Sequence, residues 1–271
     1  MSDREAVRAE VAKVSWYQCI ELPGGIVTPG EYDLRPALAR VPMPHDLSGM
    51  RCLDVGVRDG FWAFAMEERG AAEVVGIDLD DYGAYDWPEP RPPLDAEVVG
   101  ELERRSGAFA VASQARGSSV KRVFMSVYDL KPEVIGTFDF AFFGTLLLHL
   151  RDPAGALMAV RRVLTGELIL NEPFAVSLSL LRRRSPSSAL LTWNRPYWTL
   201  MNRAGLRVTL KRSGFEVLET GRPYSVPRGP AAPKSDFVRW RRGLGLIENL
   251  AHVRGGMPHN WFLARPIGKS P

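Results

Sequence analysis

Arg51-Cys-Leu-Asp-Val-Gly-Val-Arg-Asp-Gly-Phe-Trp62, followed by Val74-Val-Gly-Ile-Asp-Leu-Asp-Asp81, decides how this chain folds. Cys52, Leu53 and Val55 form an apolar run around Asp54. Gly56 and Gly60 interrupt it, and Phe61, Phe64 and Ala65 then recur at helical spacing. Glycine tolerates positive φ and lacks the Cβ that would collide with a ligand. The segment therefore predicts a buried strand, a tight turn and a helix, with the turn at the carboxyl end of the strand, where open α/β sheets bind ligands. The next apolar run, Glu73 to Ile77, ends at Asp78. That acid lies about twenty residues beyond the turn, the place from which a carboxylate reaches ribose hydroxyls in nucleotide-binding sheets.

The glycine spacing argues against a dinucleotide. A Gly-x-Gly-x-x-Gly turn presents a helix N-terminus to a pyrophosphate. Here the order is Asp54-x-Gly56-x-x-x-Gly60, with Arg58 and Asp59 at the tip. An acid so close to the turn repels a pyrophosphate and suits a ligand with a cationic sulfonium and amino group.

Outward from this core the pattern continues as βα alternation. Strands are predicted at Arg51–Val55, Glu73–Ile77, Lys121–Ser126, Phe138–Phe143 and Gly166–Asn171, then at Phe215–Thr220 and Met257–Leu263. Helices are predicted at Ser2–Lys13, Leu34–Val41, Asp59–Arg69, Leu94–Arg105, Asp152–Leu164 and Trp198–Ser213. Alternation of this kind implies a mostly parallel sheet covered on both faces. Leu22–Gly30, Tyr82–Pro93 and Gly221–Pro233 read as loops. Residues 174–199 leave the alternation as a helical insertion after the fifth strand. Residues 1–48 read as an N-terminal helical lid, and 49–271 as the main domain.

The segment around Asp54 resembles motif I of the class I S-adenosylmethionine-dependent methyltransferases, and the chain is similar to their tRNA 5-methoxyuridine methyltransferase-like branch. The matching stretches are Trp16–Gly30, Leu53–Trp62, Gly76–Asp81, Ser126–Leu130 and Phe138–Pro153. The resemblance implies a Rossmann-like, mostly parallel seven-stranded sheet and S-adenosylmethionine as cofactor. It places Asp54 toward the methionine end, with Gly56, Val57, Gly60 and Phe61 forming the turn. Asp78 would hold the ribose and Leu79 would pack on the adenine. Ser126, Val127 and Tyr128 would flank the adenine, Ser126 standing where many members carry Asp. Gly144 and Thr145 would lie beneath the sulfonium, and Trp16, Gln18 and Thr28 would fold over the cofactor.

Catalysis of methyl transfer to a hydroxyl needs positioning and a base. His149, leaving the fourth strand, is the candidate base, and Glu172, after the fifth, is a second acid for orienting the acceptor. Tyr17, Trp193, Asn194, Tyr197 and Trp198 are candidates for the acceptor wall. His45, His252 and His259 are expected at the surface. Leu148 replaces the family tyrosine that precedes the histidine, and Gly24–Thr28 is neutral where relatives are basic. Both changes point to plain S-adenosylmethionine rather than its carboxylated form as donor.

Composition sets the outer bounds. The 271 residues are enough for one large core, and the net charge of +4, from 35 basic and 31 acidic residues, does not call for a nucleic acid partner. Arg182-Arg183-Arg184 and Arg239-Trp-Arg-Arg242 read as solvated helix faces, with a phosphate-contacting patch as the sharper alternative. Two cysteines, Cys19 and Cys52, make neither a disulfide framework nor a metal site, so no metal is expected. No apolar run is long enough to cross a membrane, and the default location is cytoplasmic. The expectation is a methyltransferase acting on a small-molecule acceptor, at oxygen in preference to nitrogen. Methylation of a tRNA wobble uridine and a non-catalytic binding module are the alternatives. A homodimer is compatible with all three.

Overall fold

Near-complete burial of the Arg51–Val55 run makes it a central strand, covered on both faces. The computed structural model describes residues 3–79, 81–89, 107–191, 196–232 and 256–268. The N-terminal part holds α1 (Asp3–Val11) and a short ladder of β1 (Glu21–Leu22) with β2 (Ile26–Val27). The alternating part runs through β3 (Arg51–Val55), α2 (Phe61–Glu67), β4 (Glu73–Asp78), α3 (Ala108–Arg116), β5 (Lys121–Phe124), α4 (Pro132–Ile135), β6 (Phe138–Gly144), α5 (Pro153–Val163) and β7 (Leu164–Pro173). There follow α6 (Val176–Leu181), β8 (Ser188–Leu190), β9 (Thr199–Met201), α7 (Arg203–Arg212), β10 (Phe215–Thr220), β11 (Tyr224–Val226) and β12 (Met257–Pro266).

The main sheet has the order β10-β12-β7-β6-β3-β4-β5, with β11 also pairing with β12. The pairs from β7 to β5 are parallel, and β12 runs antiparallel to β7, β10 and β11. The chain moves outward from β3 to β4 and β5, then returns to lay β6 on the other side of β3. The strand order therefore reverses between β3 and β6, and the crevice at their carboxyl ends is where such a sheet binds ligands. Gly56 and Gly144 both lie at this point.

Two buried clusters flank the sheet. One gathers the N-terminal segment, α2 and α3 around Trp16, Trp62, Phe64, Phe109 and Phe142. The other packs α5 and α7 around Leu157, Val160, Leu206, Leu210 and Phe143. Alternate residues of β6 serve opposite clusters, Phe140 and Phe142 one, Ala141 and Phe143 the other, as the period-two pleat requires. No helix among the described residues is long and apolar enough to cross a membrane.

Several expected elements differ. The insertion after β7 is not purely helical: the six-residue α6 gives way to an antiparallel ladder of β8 with β9. The helix expected over Trp198–Ser213 is thereby shortened at its start, because Thr199–Met201 pairs as β9 and Asn202 caps α7 by accepting from the Gly205 N–H. Leu34–Val41 holds a single 3-10 turn, Arg35–Ala39. The strand expected at Gly166–Asn171 runs from Leu164 to Pro173, and the last strand reaches Pro266. Helix α3 was not expected, and the expected helix Leu94–Arg105 lies outside the described residues.

Gly76, in the middle of β4, ties this architecture to the turn. A Cβ there would stand 2.5 Å from the Val57 side chain, which packs directly onto the strand. Gly76→Ala is expected to cost about 1–3 kcal/mol by overpacking. Urea denaturation should show a lower midpoint with an unchanged slope; an unaltered midpoint would show that Val57 is free to move away.

Candidate functional site

The turn after β3 is built against the end of β4. The N–H groups of Gly56 and Val57 both donate to the Ile77 carbonyl at 3.0 Å, and the Arg58 N–H donates to Asp78 Oδ2 at 2.9 Å. This path demands positive φ at Gly56 (79°), Arg58 (52°) and Gly60 (106°). Arg58 and Thr145 are the non-glycine residues with positive φ among those described, and both stand at this crevice. Such backbone costs about 1 kcal/mol or more for an ordinary side chain and concentrates at functional sites.

Asp54 sits beneath the turn, 2% exposed. Its Oδ2 has no hydrogen-bond partner among the described residues. Burial pushes its carboxyl up to about 8, opposed by a bond from the Ala63 backbone and reinforced by the charge of Asp78. Asp78 ends β4 with its oxygens toward the Arg58 and Leu79 N–H groups and the Arg122 guanidinium at 3.4 Å. A carboxylate has about four acceptor positions, so capacity remains for a further donor.

A second acid of the turn, Asp59, is equally buried and does different work. Its Oδ2 accepts from the N–H groups of Tyr17 (2.6 Å) and Gln18 (2.7 Å). Gln18 answers by accepting the Phe61 N–H on Oε1 at 3.0 Å. Thr28 Oγ1 donates to the Gln18 carbonyl and accepts from the Ile20 N–H, each at 2.8 Å. The N-terminal segment is thus latched to the first turn of α2. The latch brings the Tyr17 ring to 5.3 Å from the Arg58 guanidinium and 5.2 Å from Tyr32. Burial holds the Tyr17 phenol well above its ordinary value.

The facing wall comes from the loop after β6. Thr145 donates its N–H to the Asn171 carbonyl, and its Oγ1 lies 3.0 Å from His259 Nε2. His259 Nδ1 lies 2.9 Å from the Met257 carbonyl, so it carries the proton and Nε2 accepts from Thr145. Glu172 Oε1 accepts from the N–H groups of Leu146 (2.9 Å) and Leu147 (3.2 Å), and burial pushes its carboxyl up to about 8. His149 follows on the same loop. Its Nδ1 lies 2.9 Å from the Pro196 carbonyl and its ring 4.8 Å from that of Tyr197. A carbonyl cannot donate, so Nδ1 carries the hydrogen and Nε2 keeps its lone pair. Burial, joined by the nearby charge of Arg58, lowers His149 to about 4, against a carbonyl contact that raises it.

The expected residues divide by role. Asp54, Gly56, Asp78, Leu79, Gly144, Thr145, His149, Tyr17 and Tyr197 belong to the turn, strand ends and loops around the crevice. Trp16 and Phe61 are core residues, Trp16 donating from Nε1 to the Val11 carbonyl. The space Gly60 leaves is filled internally, since a Cβ there would meet the Phe64 ring at 2.5 Å. Val57 packs on Gly76 and Val127 lies in the second cluster. Ser126 accepts the Tyr128 N–H. The Tyr128 hydroxyl donates to Asp86 at 2.7 Å, while Trp198 donates to the Asp86 carbonyl at 2.8 Å. Trp193 and Asn194 lie outside the described residues, as does His252. His259 is corrected from the surface to a 2% exposed interior position, and Glu172, expected to orient the acceptor, is buried and holds the loop after β6. Sequence reasoning missed the roles of Arg58, Asp59 and Asp86. A non-glycine residue inside a glycine turn was the available signal for Arg58.

Residues 30–220 match the model of a family described as "Methyltransferase domain". No curated protein matches the chain. Among solved structures, the N-terminal domain of EvdMO1, crystallised with SAH bound, is 16% identical with a TM-score of 0.51, over 98% of this chain and 98% of that one. The 4+2 cyclase SpnF is 20% identical with a TM-score of 0.52, over 86% of this chain and 80% of that one. At these identities the likenesses show the fold. A cyclase among them shows that the fold alone does not name the reaction.

Asp59→Ala removes the acceptor of two buried N–H groups and should destabilise the protein by about 2–4 kcal/mol, judged from bonds to charged groups. Hydrogen exchange should show the amides of Tyr17 and Gln18 losing protection before those of β3. Retained protection there would mean that Asp59 does not hold the N-terminal segment.

Proposed function

The chain belongs to the methyltransferase domain family, and on that basis we propose that it transfers a methyl group from S-adenosylmethionine to an acidic hydroxyl of a small-molecule acceptor. When bound, this cofactor supplies a sulfonium methyl group open to in-line attack by an oxygen nucleophile. The residues present suit it. Asp54 offers a cationic group a buried oxygen that has no partner among the described residues. Gly56 keeps the turn free of a side chain, Asp78 has acceptor capacity for ribose hydroxyls, and Leu79 follows on the edge where an adenine would pack.

The observation that carries the acceptor reading is the state of His149. Its Nε2 has a lone pair and no hydrogen-bond partner among the described residues, and the imidazole is neutral down to about pH 4. A base so weak takes the proton of a phenol, enol or similar acid more readily than that of an alcohol, because efficient transfer needs matched pKa values. Arg58 reinforces this preference. Its guanidinium lies over Tyr17, with no carboxylate ion pair among the described residues, and it favours an acceptor whose oxygen is developing negative charge. Tyr17, Tyr197 and Trp198 supply aromatic walls for a flat acceptor. Glu172 holds the loop that carries His149 and is a positioning residue.

Two outcomes follow. Asp78→Asn should weaken S-adenosylmethionine binding about tenfold or more, the worth of one charged hydrogen bond, in isothermal titration; unchanged affinity would remove Asp78 from the ribose site. His149→Ala should lower kcat on a phenolic acceptor by about 10²–10⁴. In the wild type, the acid limb of kcat/KM assigned to His149 should fall near pH 4, not near 6.5. A near-wild-type rate for His149→Ala would rule out the base.

A further inference from the structure

Beyond the methyl-transfer crevice, four arginines line one depression at the outer edge of the insertion. Ser179, Arg182, Arg183, Arg184, Ser185 and Arg203 line a volume of about 970 Å³ with Leu180 and Leu181, and among the described residues no acid lines it. None of the four arginines has a carboxylate ion-pair partner among the described residues.

The loop that carries them is held in place. The Asn202 side chain is fully buried, and its Nδ2 donates to the carbonyls of Arg182 (3.0 Å) and Ser185 (2.9 Å). Its Oδ1 accepts from the N–H groups of Ser187 (3.0 Å) and Gly205 (2.7 Å). One interior amide therefore fixes both ends of the arginine run to the cap of α7. Arg203 is half-buried, with Nε donating to Asn260 Oδ1 at 2.8 Å. Burial and the charge of Arg183 both disfavour its protonated form.

We propose that this depression is an anion site for a phosphate group, presented either as a free phosphate or as a phosphate ester. Guanidinium forks match phosphate oxygens bidentately, and the two serine hydroxyls add neutral donors. A pinned loop loses little entropy when the anion arrives.

Sodium pyrophosphate and phenyl phosphate, titrated into the full chain at constant ionic strength, test this. Saturable one-to-one binding of either is expected, with a rise in Tm. The doubly substituted Arg182→Gln/Arg183→Gln chain should bind about tenfold or more weakly, while retaining wild-type affinity for S-adenosylmethionine. Arg182 and Arg183 are exposed, so the fold should tolerate both changes. Phenyl phosphate binding at least as tightly as pyrophosphate would mark an ester as the ligand; the reverse order would mark a free phosphate. The proposal is overturned if sodium chloride at matched ionic strength gives the same response, or if the substitutions leave binding intact. It is equally overturned if only a single-stranded RNA binds, with the steep salt dependence of many phosphate contacts.

Discussion

A carboxylate in the interior with an unsatisfied oxygen is the constraint around which this protein is arranged. Asp54 could not be held beneath the glycine turn at low cost unless it were neutral or met by a cation. Burial keeps it largely protonated near neutral pH. In the linkage sense, a carboxyl whose folded pKa is raised favours the folded state fully below its unfolded value. That contribution is lost as pH climbs through the window from about 4 to about 8. The same group that costs stability in this window is the one best placed to receive a positively charged ligand. Central position in the sheet, the turn that covers it and an Oδ2 with no hydrogen-bond partner among the described residues all serve that one carboxylate.

Around it the chain separates holding from reacting. Asp59 and Gln18 fasten the N-terminal segment to the start of α2, and Glu172 and His259 fasten the loop after β6. Anchored from opposite sides, Tyr17 and His149 both feel the charge of Arg58, whose strained backbone is held by Asp78. The buried polar groups of this region are mostly framework. On the proposed reading the reactive set is small: a neutral imidazole, a guanidinium and the acid below the turn.

Much of the sheet was legible because its strands are short apolar runs with a ligand turn between the first two. Arg51–Val55 and Phe215–Thr220 have the boundaries their sequence predicts. What was hidden is non-local. The pairing of Ser188–Leu190 with Thr199–Met201 depends on the ladder closing across the intervening loop, and Leu200 looks helical by spacing alone. Asn202, read as part of a helix, is its cap and a buried clamp. The site shows the same division. Asp54, Gly56 and Asp78 announce themselves through spacing, whereas Gly60 and Phe61 share the motif yet serve the core. Nothing local to His259 says that Thr145 will meet it, because 114 residues separate the two.

Isothermal titration of S-adenosylmethionine at pH 7, repeated in buffers of different ionisation enthalpy, tests the central role of Asp54 most directly. If its protonated carboxyl is the receptor for a cationic ligand, binding should release up to about one proton, and Asp54→Asn should abolish the buffer dependence while weakening affinity. Binding enthalpy independent of buffer, together with full affinity in Asp54→Asn, would contradict the account.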